Sequence, residues 1–399
     1  MTPQLPRRAL LRGGVGLAGL AAAASTQAVP VANAVAAVPF HGENQAGILP
    51  EPQPYSVVLA ANAIAGSRAE LADLFRTITD RARFLTAGGD PDPVGITAPA
   101  TDSGTLGSTI PAGGLTVTLG VGASLFDDRY GLQSRKPTRL DVMTPFPDDD
   151  LKPEWCHGDL SLVVSAPERD TVLHAVRDIA RNTRGGMQFA WRQDGFVPPP
   201  RPSGAPRNHF GFKDGTSNPD VRDPGTMKRL VWAASDDQPW TAGGSYQVVR
   251  LIRMLVEFWD RISVGEQENL FGRARATGAP LDGTVEGDVP DYSRDGTGKV
   301  IPLTSHMRLA NPRTDDTDDS RILRRSHSYD AGLDTNGNLD LGLVFVCYQQ
   351  DIARQFVATQ TRLDGEPLSD YISPFGGGYF FALPGVRNQS DYLGRRLFE

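Results

Sequence analysis

Chemistry could reside in three short stretches of this chain. The first is Phe210-Gly211-Phe212-Lys213-Asp214-Gly215-Thr216-Ser217-Asn218-Pro219, where glycines flank a single acid. Such flanking lets the backbone approach something flat or bulky and presents one carboxylate for proton transfer; a tight Asp-Gly turn would look the same. The second is Thr304-Ser305-His306-Met307-Arg308, one of only six histidine sites in the chain. A lone imidazole can ligate a metal or move a proton, and it can equally be structural. The third is Arg321-Ile322-Leu323-Arg324-Arg325-Ser326, an arginine cluster beside the acids at 315, 316, 318 and 319. Those arginines could stabilise an anion or merely pair with their neighbours. His41, His157, His174, His209 and His327 complete the histidines, with His174 expected at a helix surface or rim. No two of the six have the spacing of a zinc or 2-His-carboxylate iron site. Cys156 and Cys347 are too few and too far apart for a Cys-ligated zinc or cluster site, and read best as unreactive thiols.

The elements that must position these residues alternate between strand and helix. Tyr55–Ala60 reads as a strand, and Ser67-Arg68-Ala69-Glu70 as a capping box opening a helix through Leu71, Leu74, Phe75 and Ile78. Leu115–Gly120 and Leu160–Val164 follow as strands, then a helix from about Glu168 to Ala180 and a strand from Met187 to Arg192. The order β-α-β-β-α-β is the ferredoxin-like pattern. It recurs after a Pro/Gly-rich join: a strand over Gln247–Phe258, a capping box at Ser263–Glu266, a strand over Leu341–Tyr348, a helix over Asp351–Leu363, and a last strand at Gly378–Phe381. The expected fold is therefore α+β, two ferredoxin-like modules with their antiparallel sheets packed together. Residues 274–339, acidic and rich in Gly and Pro, fit neither repeat and contain His306. Long irregular insertions of this kind tend to be functional.

The first 34 residues read as an export signal. Pro6-Arg7-Arg8-Ala9-Leu10-Leu11-Arg12 precedes a weakly apolar run from Gly13 to Ala24, and Ala32-Asn33-Ala34 has the small residues a signal peptidase requires. Adjacent arginines before a Gly/Ala-rich segment indicate the twin-arginine route rather than an ordinary secretory signal, so the export machinery is an expected partner. Removing the three arginines of this segment takes the formal charge from −7 to −10. An acidic protein without basic runs is not built for nucleic acid or anionic membranes. No later stretch reaches the ~20 apolar residues of a stable membrane span.

Taken together, the motifs resemble those of the dye-decolourising peroxidases. Gly211-Phe212-Lys213-Asp214-Gly215 matches that family's GxxDG signature, and Arg324 lies 18 positions beyond His306, the family's interval from proximal histidine to distal arginine. Phe40-His41-Gly42-Glu43-Asn44-Gln45-Ala46-Gly47-Ile48 resembles the family's opening segment, with Asn44 where histidine is common. Cys156–Leu160, Gly243–Tyr246, Trp259–Arg261, Gly272-Arg273 and Gly376–Phe381 also look like family segments, so the likeness spans the chain beyond residue 34. Export and the long loops point to the A-type branch, similar to enzymes also described as deferrochelatases.

The resemblance implies two ferredoxin-like modules, 35–225 carrying the GxxDG motif and 226–399 carrying the haem-binding insertion. It implies one b-type haem in the second, non-covalent because no CxxCH motif is present. His306 would be the axial iron ligand, and Asp370, in Leu368-Ser369-Asp370-Tyr371, the carboxylate that receives its second N–H. Asp214 would be the acid–base for hydrogen peroxide, Arg324 the fixed charge that stabilises its anion. Phe212, Gly215, Leu343 and Phe345 are expected at the cofactor. Small aromatic donors would be oxidised, the bulky ones through surface residues drawn from five tryptophans and nine tyrosines. The alternative is a haem or iron handling protein whose peroxidase activity is incidental.

Overall fold

A computed structural model describes residues 35–234 and 236–399, so the export segment lies outside the described residues. The first half runs β1 (Tyr55–Ala63), α1 (Arg68–Ala87), β2 (Thr116–Gly122), β3 (Leu160–Ala166), α2 (Arg169–Asn182) and β4 (Met187–Phe196). α1 starts where the capping box put it: the Ser67 side chain accepts from the Glu70 N–H, and Glu70 in return accepts from the Gly66 N–H at 2.8 Å. After α3 (Pro224–Leu230), the second half runs β5 (Ser245–Met254), α4 (Val256–Trp259), α5 (Val264–Phe271), α6 (His306–Ala310), β6 (Leu323–Arg324), β7 (His327–Leu333), β8 (Leu339–Gln349), a π turn at Ala353–Val357 continuing into α7 (Ala358–Arg362), and β9 (Ile372–Ala382).

The strand order of the sheet is β5-β9-β2-β3-β1-β4-β7-β8-β6, with β5 also paired to β8. All the strand pairings are antiparallel, and the sheet closes on itself. Packing of two separate sheets is thus only part of the answer: the two halves also join edge to edge, β2 to β9 and β4 to β7. Closure removes free edges that would otherwise expose unpaired peptide groups. At the β2–β9 seam the buried Gln45 side chain donates to both Leu119 O and Leu383 O and accepts from Leu119 N–H.

Alternation along the strands divides the core. Val57, Leu59 and Ala61 face α1 and α2 together with Leu71, Phe75, Val172 and Ile179. Val58 and Ala60 turn into the interior, against Val249, Leu251, Val344, Val346 and Phe380. The expected strand over Gln247–Phe258 stops at Met254, because Val256–Trp259 forms a helical turn that swings Trp259 into an aromatic cluster. The insertion is less irregular than expected: His327–Leu333 pairs with β8 as a hairpin, turned at Asp334, whose carboxylate accepts from the Asn336 and Asn338 N–H groups.

Candidate active site

Asp214 sits on a loop whose alternate residues are pinned in apolar surroundings. Phe210 stacks on Trp259 (4.4 Å between centroids) and Phe212 on Phe271 (4.1 Å), leaving Lys213 and Asp214 to turn the other way. Gly211 (φ +82°) and Gly215 (φ +115°) bracket this turn in backbone conformations that a side chain would strain. Lys213 pairs with Glu286, tying the loop to the insertion. Asp214 Oδ1 accepts from Arg324 Nη1 at 2.7 Å. Both side chains are about a quarter exposed, in a recess of about 50 Å³ lined also by Gly215, Asn218, Ser326 and Leu343.

Two of the acids close to Arg324 in sequence are engaged by other arginines, while Arg324 pairs with Asp214. Asp318 and Asp319 pair with Arg229, and Asp318 also with Arg321 at 2.9 Å. Arg325, adjacent in sequence, does something different: it is buried and donates to the carbonyls of Ile48 and Leu49. Burial lowers its pKa below the usual guanidinium value, and its role is to fasten the opening segment.

His306 begins α6, and its Nδ1 lies 2.9 Å from Glu366 Oε2 and 3.0 Å from Oε1. Burial opposes charge on the ring, but the carboxylate outweighs it and the His306 pKa is raised. Arg324 and Asp214 also act on that charge, more weakly than Glu366 and with opposite signs. With Nδ1 held by an acceptor, Nε2 is the nitrogen left to ligate. The ring is one-third accessible (34%) and meets the edge of Phe271 at 6.1 Å.

The carboxylate beside His306 is therefore Glu366, and the assignment of Asp370 to that position is corrected. Asp370 is exposed, in the 3-10 turn Pro367–Tyr371, whereas Glu366 caps that turn from its buried side. Sequence spacing gave no access to Glu366, one of three acids between positions 364 and 370 and 60 residues from His306. Of the expected cofactor contacts, Gly215 and Leu343 line the Asp214 recess, while Phe212 reaches His306 only through Phe271. Phe345, two positions along the same strand face as Leu343, packs against Phe356 in the main core.

Three of the other histidines have structural surroundings. His174 is buried, not at a rim, with Nδ1 2.8 Å from Ser103 Oγ. His209 Nε2 donates to Tyr329 O, and the buried His327 Nε2 to Gln53 O. Both cysteines are unpaired; burial raises the pKa of each, most for Cys347. Among the described residues no helix is long and apolar enough to cross a membrane, and no cluster of His, Cys, Asp and Glu could hold a metal ion by itself.

A second opening, of about 330 Å³, borders the first and shares Asn218 with it. It is lined by Arg273 and Arg313. Arg273 is buried and donates to the backbone carbonyls of Gly278 and Glu286; burial, with Arg313 and Arg324 nearby, lowers its pKa. Three guanidiniums thus converge, with Asp214 the carboxylate bonded to Arg324. Four acids, Glu286, Asp288, Asp315 and Asp318, line the same opening, so its charge is mixed, and Arg273 and Arg313 are the groups in it suited to a ligand's carboxylates.

The chain matches the family models described as Dyp-type peroxidase, N-terminal, over residues 45–197 and Dyp-type peroxidase, C-terminal, over residues 205–387. The deferrochelatase of Escherichia coli (strain K12) is 47% identical, the match covering 98% of this chain and 96% of that protein. The deferrochelatase of Shigella flexneri is 47% identical, covering 98% and 97%. Among solved structures, a DyP-type peroxidase from Streptomyces coelicolor superposes with a TM-score of 0.83 at 35% identity, covering 92% of this chain and 98% of that one. Ferric DtpA from Streptomyces lividans gives 0.82 at 35% identity with the same coverage.

Proposed function

This chain belongs to the Dyp-type peroxidase family, and from that premise we propose that it is a haem peroxidase that reduces hydrogen peroxide and oxidises dye-like or phenolic donors. The observation that carries this reading is the Asp214–Arg324 pair, within electrostatic reach of a histidine already fastened to a buried carboxylate.

The residues present suit a b-type haem. His306 would supply the nitrogen that holds the iron, with Glu366 orienting the ring and raising its basicity. Arg273 and Arg313 would face the two propionates, and Leu343 and Phe271 would give apolar contact. Haem bound there would supply the redox chemistry that couples peroxide reduction to one-electron oxidation of donors. Asp214 takes the proton from one peroxide oxygen and returns it to the other, which departs as water. The Arg324 guanidinium steadies the peroxide anion while that proton is in transit.

Within this reading the chain is two ferredoxin-like modules, 35–225 and 226–399, with the haem in the second. The strand orders β2-β3-β1-β4 and β9-β5-β8-β7 support it, since each arranges its half in the same way. The twin-arginine signal at Arg7-Arg8 supports export as a folded protein.

A second reading has its own support. Relatives as similar as 47% are named deferrochelatases, which suits a protein that handles haem as an iron source. A carrier has no need of a distal acid beside a guanidinium, and the Asp214–Arg324 pair favours the enzyme. The deciding experiment loads the protein with haem and compares steady-state turnover of peroxide and an anthraquinone dye with iron release. Turnover that is abolished by Asp214→Ala supports the peroxidase; iron release with no dye oxidation overturns it.

A further inference from the structure

Arg324 occupies a strand only two residues long, β6, which lies at the end of the strand order and pairs with β8 through Leu323↔Tyr348 and Arg324↔Cys347. So short an edge strand is weakly held by its own ladder. What meets the Arg324 peptide is the side chain of Asn218. The Arg324 N–H donates to Asn218 Oδ1 at 2.9 Å, and Asn218 Nδ2 donates back to Arg324 O at 3.2 Å. One carboxamide thus takes the place of a neighbouring strand, and its orientation is unambiguous because a peptide N–H can only donate and a carbonyl only accept. Arg325 Nη1 also donates to Arg324 O, at 2.9 Å, so the Arg324 N–H is the group that depends on Asn218.

Asn218 is itself fixed to the other half of the catalytic pair. It stands four residues after Asp214 on the same loop, and its N–H donates to Gly215 O at 3.0 Å. Its side chain also borders both openings. The two members of the pair are 110 positions apart in sequence. Their own contact is one hydrogen bond between partly exposed side chains, made through the end of a flexible arginine, and by itself leaves their backbones unlinked.

We propose that Asn218 is the positioning residue of this site: it locks the backbone of Arg324 to the Asp214 loop, so that guanidinium and carboxylate act as one unit. The proposal rests on the catalytic reading of Arg324 given above. A displacement of about 1 Å in such a group can cost on the order of 10²-fold in rate. Two uncharged hydrogen bonds to one peptide group can therefore matter to the reaction out of proportion to their contribution to stability.

A double-mutant cycle on haem-loaded protein tests it, with Asn218→Ala, Arg324→Leu and the double variant mixed with peroxide in a stopped-flow instrument. Asn218→Ala is expected to keep its Soret absorbance and react roughly 10- to 100-fold more slowly. In the Arg324→Leu background the same change is expected to alter the rate by less than about 2-fold, because there is no guanidinium left to position. A wild-type rate for Asn218→Ala, or equal slowing in both backgrounds, overturns the proposal. A wild-type rate for Arg324→Leu overturns instead the role given to Arg324.

Backbone hydrogen exchange over residues 321–327, measured with and without haem, reads the clamp apart from activity. Asn218→Asp keeps the acceptor for the Arg324 N–H and should preserve its protection, with part of the rate recovered; Asn218→Ala should lose protection. Unchanged exchange in Asn218→Ala overturns the proposal. If that variant does not fold, loss of protection at Arg324 in Asn218→Asp overturns it.

Discussion

Glu366 holds the ring of His306: both carboxylate oxygens lie within 3.0 Å of Nδ1, and the acid is buried. This leaves one ring nitrogen facing the accessible side and the other committed to a charged acceptor. Partners of this kind orient a ligating imidazole and raise its basicity, and their removal typically costs about 10–100-fold in metal affinity or activity.

Glu366→Gln should therefore retain haem less firmly and shift the iron–histidine stretching band of the ferrous protein to lower frequency, by resonance Raman. His306→Ala should lose that band or most of the haem. Asp370→Ala, at the exposed position one turn away, should leave the band where it is. An unshifted band in Glu366→Gln together with a shift in Asp370→Ala would restore the assignment made from sequence.

Asp214 and Arg324 should separate in kinetics. Replacing Asp214 by Ala removes the proton carrier, at a cost of about 10²–10⁴-fold in the reaction with peroxide. Arg324→Leu removes a fixed charge, roughly 10²–10³-fold. Both variants should keep haem while reacting with peroxide more slowly in stopped-flow mixing. Wild-type rates in both would remove the pair from the chemistry and make the carrier the better reading.

His327 supplies a test of acid stability. It is buried, its Nε2–H donates to Gln53 O, and burial pushes its pKa down to about 4. An unfolded histidine titrates near 6.5, so the unfolded state binds the proton first as pH falls. The stability this neutral ring confers is complete above about pH 6.5 and is lost as pH drops through about 4, a total of about 3 kcal/mol. Urea unfolding midpoints of the wild type should fall across that window, and those of His327→Gln should fall less. Parallel curves would mean that His327 is not the residue titrating.

Export can be tested by replacing both Arg7 and Arg8 with Lys. The doubly substituted precursor should accumulate inside the cell, folded and carrying haem, if the twin-arginine route is used. Undiminished secretion, followed by fractionation and immunoblotting, would indicate the general secretory route instead.

Much of this was legible in one dimension. Capping boxes at Ser67 and Ser263, and apolar periodicity at Leu71, Leu74, Phe75 and Ile78, depend on neighbours a turn apart, so the helices begin where local chemistry puts them. The alternating strands and their repeat in the second half are local in the same sense. Asp214, His306 and Arg324 stood out because residue type and short motifs are properties of the chain itself. Tertiary structure decided what depends on encounters between distant segments. The join of β2 to β9 is made by strands some 260 residues apart, and no periodicity within either strand encodes its partner. Glu366 rather than Asp370 meets His306 because a single 3-10 turn buries one acid and exposes the other. Arg324 rather than Arg325 meets Asp214 because Arg325, just past the end of β6, is buried against the Ile48 and Leu49 carbonyls, and Asn218 sets which peptide group is held. Residue identities determine which reactions are available to this protein, and their distances are decided by the packing of segments that the chain keeps far apart.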